Sequence, residues 1–279
     1  MSDKANTADM GHDTALEDPH QSDFVARIYD GEHQDDTDDI AWSLRLARAA
    51  GGAVADLGCG SGRLTLPLAE AGYQVLAVDR STAMLDRLKA KLERLPRSVQ
   101  QRVQLNQADI AHWAAPNSQL ALAIIGYNTF AALLTADDQM RCLTAIRAAL
   151  CPGGRLAIAT AAVSAQIIGL PDGFSREVYR RSTPELGRNI ELIRRDIQRW
   201  TDETRQIRQL ALVYDVHEPD GGRRQHQYEF AVRYTSRWEL EHLLARSGFT
   251  DVRVWGGYEE EPFSVAGGLM IVTAARENG

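Results

Sequence analysis

Residues 54–79, VADLGCGSGRLTLPLAEAGYQVLAVD, read as a strand, a glycine-rich turn, a helix and a second strand that ends on an acid. Ala53 to Leu57 is a short apolar run ending in Gly58-Cys59-Gly60-Ser61-Gly62, where the backbone turns sharply and a ligand can approach without meeting a Cβ. From Arg63 to Ala71 the apolar Leu64, Leu66, Leu68 and Ala69 mix with polar residues, and Gly72 stops a helix whose amino end points back at the turn. Gln74 to Val78 is the next buried strand, with Asp79 at its carboxyl end. A carboxylate there, about 20 residues past the glycines, accepts hydrogen bonds from the two hydroxyls of a ribose. The stretch predicts a pocket for an adenosine-containing cofactor.

Nicotinamide enzymes use a similar turn, but their third glycine position is held here by Arg63, large and charged. The pattern Asp56-x-Gly58-x-Gly60-x-Gly62 resembles motif I of the class I S-adenosylmethionine (SAM) dependent methyltransferases, of the small-molecule type, with Asp79 matching their ribose-binding acid. The resemblance runs from Asp23 to Ala275, with its specific motifs in the first half. It implies SAM as cofactor, held by Asp56, Gly58, Gly60, Arg63 and Asp79, with Arg80 and Met84 beside the adenine. Met84 as plain core is the alternative.

Composition sets the outer bounds. The chain has 279 residues, 44% of them hydrophobic, and a formal charge of -7, which suits one large domain or one domain with an elaborated lid. The acidic balance argues against nucleic acid. No run approaches the roughly 20 apolar residues of a membrane span and no signal pattern opens the chain, so a cytoplasmic protein is expected. Cys59, Cys142 and Cys151 are too few and too scattered for a disulfide framework or a zinc site, and no metal is expected.

Met1 to Gln21 is polar and aperiodic, which predicts a disordered tail over residues 1–22. Phe24, Val25, Ile28 and Tyr29 share a helical face, with Asp30-Gly31 as a stop. The resemblance places Tyr29 over the methionine end of SAM; a core tyrosine is the other reading. Glu32 to Asp39 is strongly acidic and includes His33. It reads as solvated surface or, more sharply, as one or two carboxylates facing the pocket to attract an amine. Ile40 to Ala50 is an amphipathic helix, and residues 23–170 form the cofactor-binding core with this helical cap.

After Asp79, Ser81 or Thr82 caps a helix carrying Met84, Leu85, Leu88 and Leu92. Val103 to Asn106 is the third strand, and Asp109-Ile110 matches the family position that receives the adenine amino group, a donor facing a carboxylate acceptor. Leu120 to Ile125 is a buried strand running into Gly126-Tyr127-Asn128-Thr129-Phe130. The resemblance makes this the segment closing the methyl channel. It places Tyr127 and Asn128 at the cofactor, and Asn128 and Phe130 at the acceptor. A helix from Thr135 and a strand from Arg155 to Ala161 complete a βαβαβ alternation, hence an α/β doubly wound sheet. The family adds a Rossmann-like, seven-stranded form with its last strand antiparallel, completed by residues 236–279.

Residues 171–235 change character. Leu210, Leu212, Tyr214 and Val216 share one face with period two, as do His226, Tyr228, Phe230, Val232 and Tyr234, around a turn at Pro219-Asp220-Gly221-Gly222. This predicts an antiparallel β lid after the fifth strand, with Ile190 to Trp200 as a more irregular third strand. In the family this chain resembles, such an insertion covers the active site, which implies Tyr214, Tyr228 and Arg233 at the substrate, with Tyr258 from the loop before the last strand. Packing of the lid on the core is the alternative for each tyrosine. Acidic entrance and arginine-rich lid point to opposite acceptors, and the choice stays open.

Methyl transfer needs in-line geometry and a base only when the nucleophile arrives protonated. His33, Tyr127, Tyr228, Tyr234 and His226 are the candidate bases. The expected activity is methyl transfer from SAM to nitrogen or oxygen of a small-molecule acceptor. The alternative is a SAM-binding regulatory or assembly protein without transfer activity. A homodimer is compatible with either.

Overall fold

The computed structural model describes residues 18–114 and 119–277. The tail expected over residues 1–22 falls outside the described residues up to position 17. From there a single turn at Pro19–Gln21 leads to Ser22, whose hydroxyl caps helix α1 (Asp23–Glu32). The helix runs through the Asp30-Gly31 stop expected from sequence and continues to Glu32, with Gly31 buried and the Glu185 carboxylate close against it. Helix α2 (Asp38–Ala50) follows and closes on Gly51 in a left-handed conformation.

The core sheet holds seven strands: β1 (Val54–Leu57), β2 (Val75–Asp79), β3 (Val103–Gln107), β4 (Leu120–Ile125), β5 (Leu150–Ala161), β10 (Phe249–Trp255) and β11 (Leu269–Arg276). Their order is β10-β11-β5-β4-β1-β2-β3; β1 to β5 are parallel, while β11 runs antiparallel between β5 and β10. Strands β1 and β4 are buried along their whole length, as expected of central parallel strands covered on both faces. Helices α3 (Thr65–Glu70), α4 (Thr82–Leu92), α5 (Arg97–Gln100), α6 (Ala136–Ala149), α7 (Ala165–Ile168) and α8 (Arg237–Arg246) complete the chain. Ser81 caps α4 through the Met84 amide, and Thr135 and Ser236 cap α6 and α8 in the same way.

The order reverses between β1 and β4, so a crevice opens at their carboxyl ends, where α/β sheets bind ligands. Over that edge stands a second sheet of β6 (Ser175–Ser182), β7 (Glu191–Asp202), β8 (Ile207–His217) and β9 (Arg223–Arg233), antiparallel throughout. It has four strands where the sequence pattern indicated three. Strand β6 is an edge strand whose side chains are mostly exposed, so it carries no apolar alternation to read. Of the strand expected over Ile190 to Trp200, the residues from Glu191 onward lie in a regular strand with one bulge between Gln198 and Trp200.

Helix α1 packs between the two sheets. Val25, Ile28 and Met84 form one buried cluster with Leu192, Leu212, Tyr214 and Tyr228 of the second sheet. Phe24 stacks on His226 at 3.9 Å and meets Tyr214 edge-on at 5.6 Å.

Candidate active site

The glycine turn shows a division of labour. Gly58, Gly60 and Gly62 all have left-handed φ values, of 79°, 52° and 88°. A Cβ on Gly58 would overlap Thr129, and one on Gly62 would overlap Leu88 of α4, whereas one on Gly60 would meet nothing within 4 Å. Gly62 therefore supplies the close helix packing, and Gly60 faces open space. Beneath the turn, Asp79 accepts from the Gly60 amide through Oδ2 and from the Ser81 amide through Oδ1, each at 2.8 Å. Its position is set by backbone.

Asp56, expected at the cofactor, is buried under the turn and accepts from Thr65 Oγ1 at 2.6 Å. Burial, with Asp79 nearby, pushes its carboxyl up to about 6. It supports the turn from below. Asp109 accepts from the Ala111 amide at 2.8 Å, and Ile110 is buried in the main core. Arg80 pairs with Asp18 at the surface at 2.8 Å, and Met84 packs under α1.

Facing the turn, α1 and the loop after it bring a polar and aromatic cluster together. Tyr127 and Asn128 have φ of 45° and 67°, two successive non-glycine residues in the left-handed region at the end of β4. The Asn128 amide oxygen is held by Thr160 Oγ1 at 2.9 Å and the Ala161 amide at 3.0 Å, which ties this corner to β5. The bend leaves Tyr127 44% exposed, with its hydroxyl 2.8 Å from His33 Nδ1 and donating to Asp36 Oδ2 at 3.0 Å. His33 Nδ1 is also 3.0 Å from Asp36 Oδ2. Two oxygens around Nδ1 make it the protonated nitrogen of a neutral ring, so Nε2 keeps the lone pair and has no protein partner among the described residues. Tyr29 packs on the His33 ring at 4.4 Å between centroids.

Burial lowers the His33 pKa, and the neighbouring Arg63 works in the same direction; Asp36 and Glu32 oppose them without reversing the shift. The ring is neutral at pH 7. Arg63 spans both oxygens of buried Asp39, donates to the Asp36 carbonyl at 2.9 Å and lies 4.7 Å over the Tyr127 ring. Of the aspartates in the acidic run only Asp39 is buried; Asp36 is exposed like Asp35 and Asp38, but its carboxylate is engaged by His33 and Tyr127. Tyr258 sits behind this group, partly buried, 5.4 Å from Trp42.

Two further knots fix α1. Asp30 accepts from Ser61 at 2.5 Å, Lys91 at 2.9 Å and Arg87 at 3.2 Å, joining α1 to the turn and to α4. Burial raises the Asp30 carboxyl, but these three donors outweigh it and hold the group below its ordinary value. Its stabilisation is complete above the unfolded value near 3.8 and is lost as pH falls through the lower folded value. Asp30→Ala is expected to cost about 1–3 kcal/mol at pH 7, because it leaves two cations without their acceptor. Denaturant titrations should show the gap between variant and parent narrowing below pH 3.8. At the far end of α1, buried Glu32 accepts from Tyr179 at 2.6 Å, Arg194 at 3.1 Å and Tyr214 at 3.3 Å, all from the second sheet.

Several expected substrate contacts are corrected. Phe130 is 1% exposed within the main core, and Tyr214 is fully buried against α1, so neither ring is offered to a ligand. Tyr228 is buried and bonded by Ser22 at 3.0 Å, and His226 is stacked on Phe24, which removes both from the bases. Arg233 is 6% exposed and held by Gln139 of α6, Glu239 of α8 and Gln206 of the turn between β7 and β8. Tyr234 follows β9, with its amide donating to the Gln206 carbonyl, and burial with the carboxylates Glu203 and Asp202 raises its pKa. Sequence spacing could not separate these roles, since core and pocket aromatics share the period of two. Among the described residues no group of three or more His, Cys, Asp or Glu is placed to hold a metal, and no helix is long and apolar enough to cross a membrane.

Residues 54–154 match the family model described as a methyltransferase domain. Cypemycin N-terminal methyltransferase from Streptomyces sp is 35% identical over 115 residues, which are 41% of this chain and 44% of that protein. The chain thus spans less than half the length of the curated relatives it matches. The CcbJ methyltransferase of Streptomyces caelestis superposes with a TM-score of 0.70 at 23% identity, covering 86% of this chain and 88% of that one. The sugar N-methyltransferase KedS8 of Streptoalloteichus sp ATCC 53650 gives 0.66 at 16% identity, covering 99% and 100%. At these identities the likeness is one of fold.

Proposed function

From the methyltransferase domain carried by residues 54–154, we propose that the whole chain is a SAM-dependent methyltransferase acting on an amine nitrogen of a small molecule. The observation that carries the reading is the turn itself. Gly60 opens onto free space on one side, and the Asp79 carboxylate stands beneath it, anchored by two backbone amides. This suits a ribose and an adenosyl chain lying against bare backbone. Asp79 would take the ribose, Asp109 the adenine edge and the cluster around Tyr29 and Tyr127 the sulfonium end. The bound cofactor supplies an electrophilic methyl group.

The choice of nitrogen over oxygen is supported by the named activities of the cypemycin and sugar N-methyltransferases. It is also supported by the chemistry of the cluster. An alkylamine is mostly protonated at pH 7 and has no lone pair to offer until a base takes its proton. His33, neutral and with Nε2 unbonded, is the group suited to take it; Asp36 and Tyr127 hold the ring through Nδ1. The amine then attacks as the carbon–nitrogen bond forms and the carbon–sulfur bond breaks in line. The three unpaired cysteines fit a reducing compartment, so the cytoplasm belongs to the proposal.

Isothermal titration with S-adenosylhomocysteine, with NADH as control, tests the cofactor. Binding of the first alone is expected, and tighter binding of NADH would overturn the reading. Transfer of a labelled methyl group to any amine separates an enzyme from a binding protein.

A further inference from the structure

We propose that Arg208, backed by Gln198, forms the subsite for an anionic group of the acceptor, a carboxylate or a phosphate. The inference rests on the methyltransferase reading and names what kind of amine is taken. Strand β8 is paired to β9 in unbroken register, so Arg208, Leu210, Leu212, Tyr214 and Val216 lie on one face of the lid. Leu212 and Tyr214 press on α1. Further along the same face, Arg208 and Leu210 stand opposite Val232 and Phe230; Phe230 packs against the α1 cluster, and β9 also meets the turn Thr129–Ala132 that follows Tyr127. In this proposal that part of the face roofs the crevice between α1 and the carboxyl ends of the core strands.

Arg208 differs from most arginines of this sheet in its company. Arg194, Arg195, Arg199, Arg224 and Arg233 each meet a carboxylate. Arg208 is half-buried and bonded to a neutral amide: Nε and Nη2 donate to Gln198 Oε1 at 3.0 and 2.5 Å. Gln198 is itself buried, and its Nε2 is fixed by the Trp200 carbonyl at 2.7 Å and Thr201 Oγ1 at 2.9 Å, so Oε1 is aimed at the guanidinium. Burial lowers the Arg208 pKa, and the one ionisable neighbour opposing this is the Tyr234 phenol. A guanidinium has five N–H donors. Gln198 takes one from each of two nitrogens, which leaves the Nη1–Nη2 edge with no acceptor among the described residues. That edge is the fork that grips a carboxylate or phosphate with two parallel bonds. A half-buried cation oriented by a neutral amide is a site whose counter-charge arrives with the ligand.

Inorganic pyrophosphate and succinate are titrated into the protein, free and saturated with S-adenosylhomocysteine, for the parent and for Arg208→Gln, Arg208→Lys and Arg223→Gln. Arg223 is an exposed arginine on the opposite face of the same sheet, where it lines a cavity with Arg195 and Arg224, so its variant reports anion binding at that face instead. One of the two anions is expected to bind the parent, and which one identifies phosphate or carboxylate as the source. Arg208→Gln should weaken it about tenfold or more, Arg208→Lys less, and Arg223→Gln not at all. Equal loss in the Arg208→Gln and Arg223→Gln proteins, no loss at Arg208, or no binding of either anion to the parent would overturn the proposal. Affinity for S-adenosylhomocysteine should be the same in all four proteins. Its absence from the parent would count against the cofactor reading and leave the anion result to stand or fall by itself.

Discussion

Gly60→Val is expected to abolish binding of S-adenosylhomocysteine while the protein still unfolds in one cooperative transition. The reason lies in which way each glycine of the turn faces. A side chain at Gly58 would collide with Thr129 and one at Gly62 with Leu88, so those substitutions would disturb the packing of the core before any ligand was involved. At Gly60 the new atoms enter space in which no protein atom lies within 4 Å. The local cost is the left-handed φ of 52°, roughly 1–2 kcal/mol for a residue with a Cβ, which a domain of this size tolerates. The isopropyl group fills the volume the adenosyl chain would use, and any relaxation of the backbone moves the amide that donates to Asp79. A loss of at least 100-fold, about 2.7 kcal/mol, is expected by calorimetry. Unchanged affinity in a folded variant would place the cofactor elsewhere.

The turn was readable because its physics is local. Glycines in sequence, a strand on each side and an acid at a fixed distance all follow from one stretch of backbone. The doubly wound sheet followed from the βαβαβ alternation, and Leu120–Ile125 was readable as a buried strand because a continuous apolar run suits a strand covered on both faces. What was hidden is cross-chain. Arg63 reads as a misfit for a dinucleotide turn, but its partner Asp39 comes from the acidic run, and nothing in the spacing announces that pairing. Glu32 belongs to the same run, yet it is buried by two tyrosines and an arginine from the lid. Phe130 and Arg233 were misplaced because an aromatic or a cation at a strand end looks alike whether it turns inward or out. Strand β6 escaped because an edge strand needs no apolar face.

The second large effect is expected at His33. His33→Asn keeps a side-chain N–H near the position of Nδ1, so bonds to Asp36 and Tyr127 can persist, while the lone pair at Nε2 is lost. If His33 accepts the proton of the amine, kcat/KM should fall about 10²- to 10⁴-fold with cofactor affinity unchanged. The pH profile supplies the sharper signature. A base must be neutral to act, so the parent should lose activity as pH falls through the His33 pKa. Burial and Arg63 hold that pKa below the ordinary 6.5 against the pull of Asp36 and Glu32, so the acid limb should lie below pH 6.5. The Tyr127 and Tyr29 hydroxyls that border the ring stay protonated throughout that range, because burial raises both. In His33→Asn the limb should vanish, leaving a rate that tracks the free-amine fraction of the acceptor. Tyr127→Phe keeps the ring beneath Arg63 but removes the hydroxyl shared by His33 and Asp36, so a milder loss of about tenfold is expected, with the limb retained. If His33→Asn kept both the rate and the limb, His33 would not be the base. The search would then turn to a nucleophile that arrives already neutral, one that needs positioning by Tyr29 and Tyr127 and no proton acceptor at all.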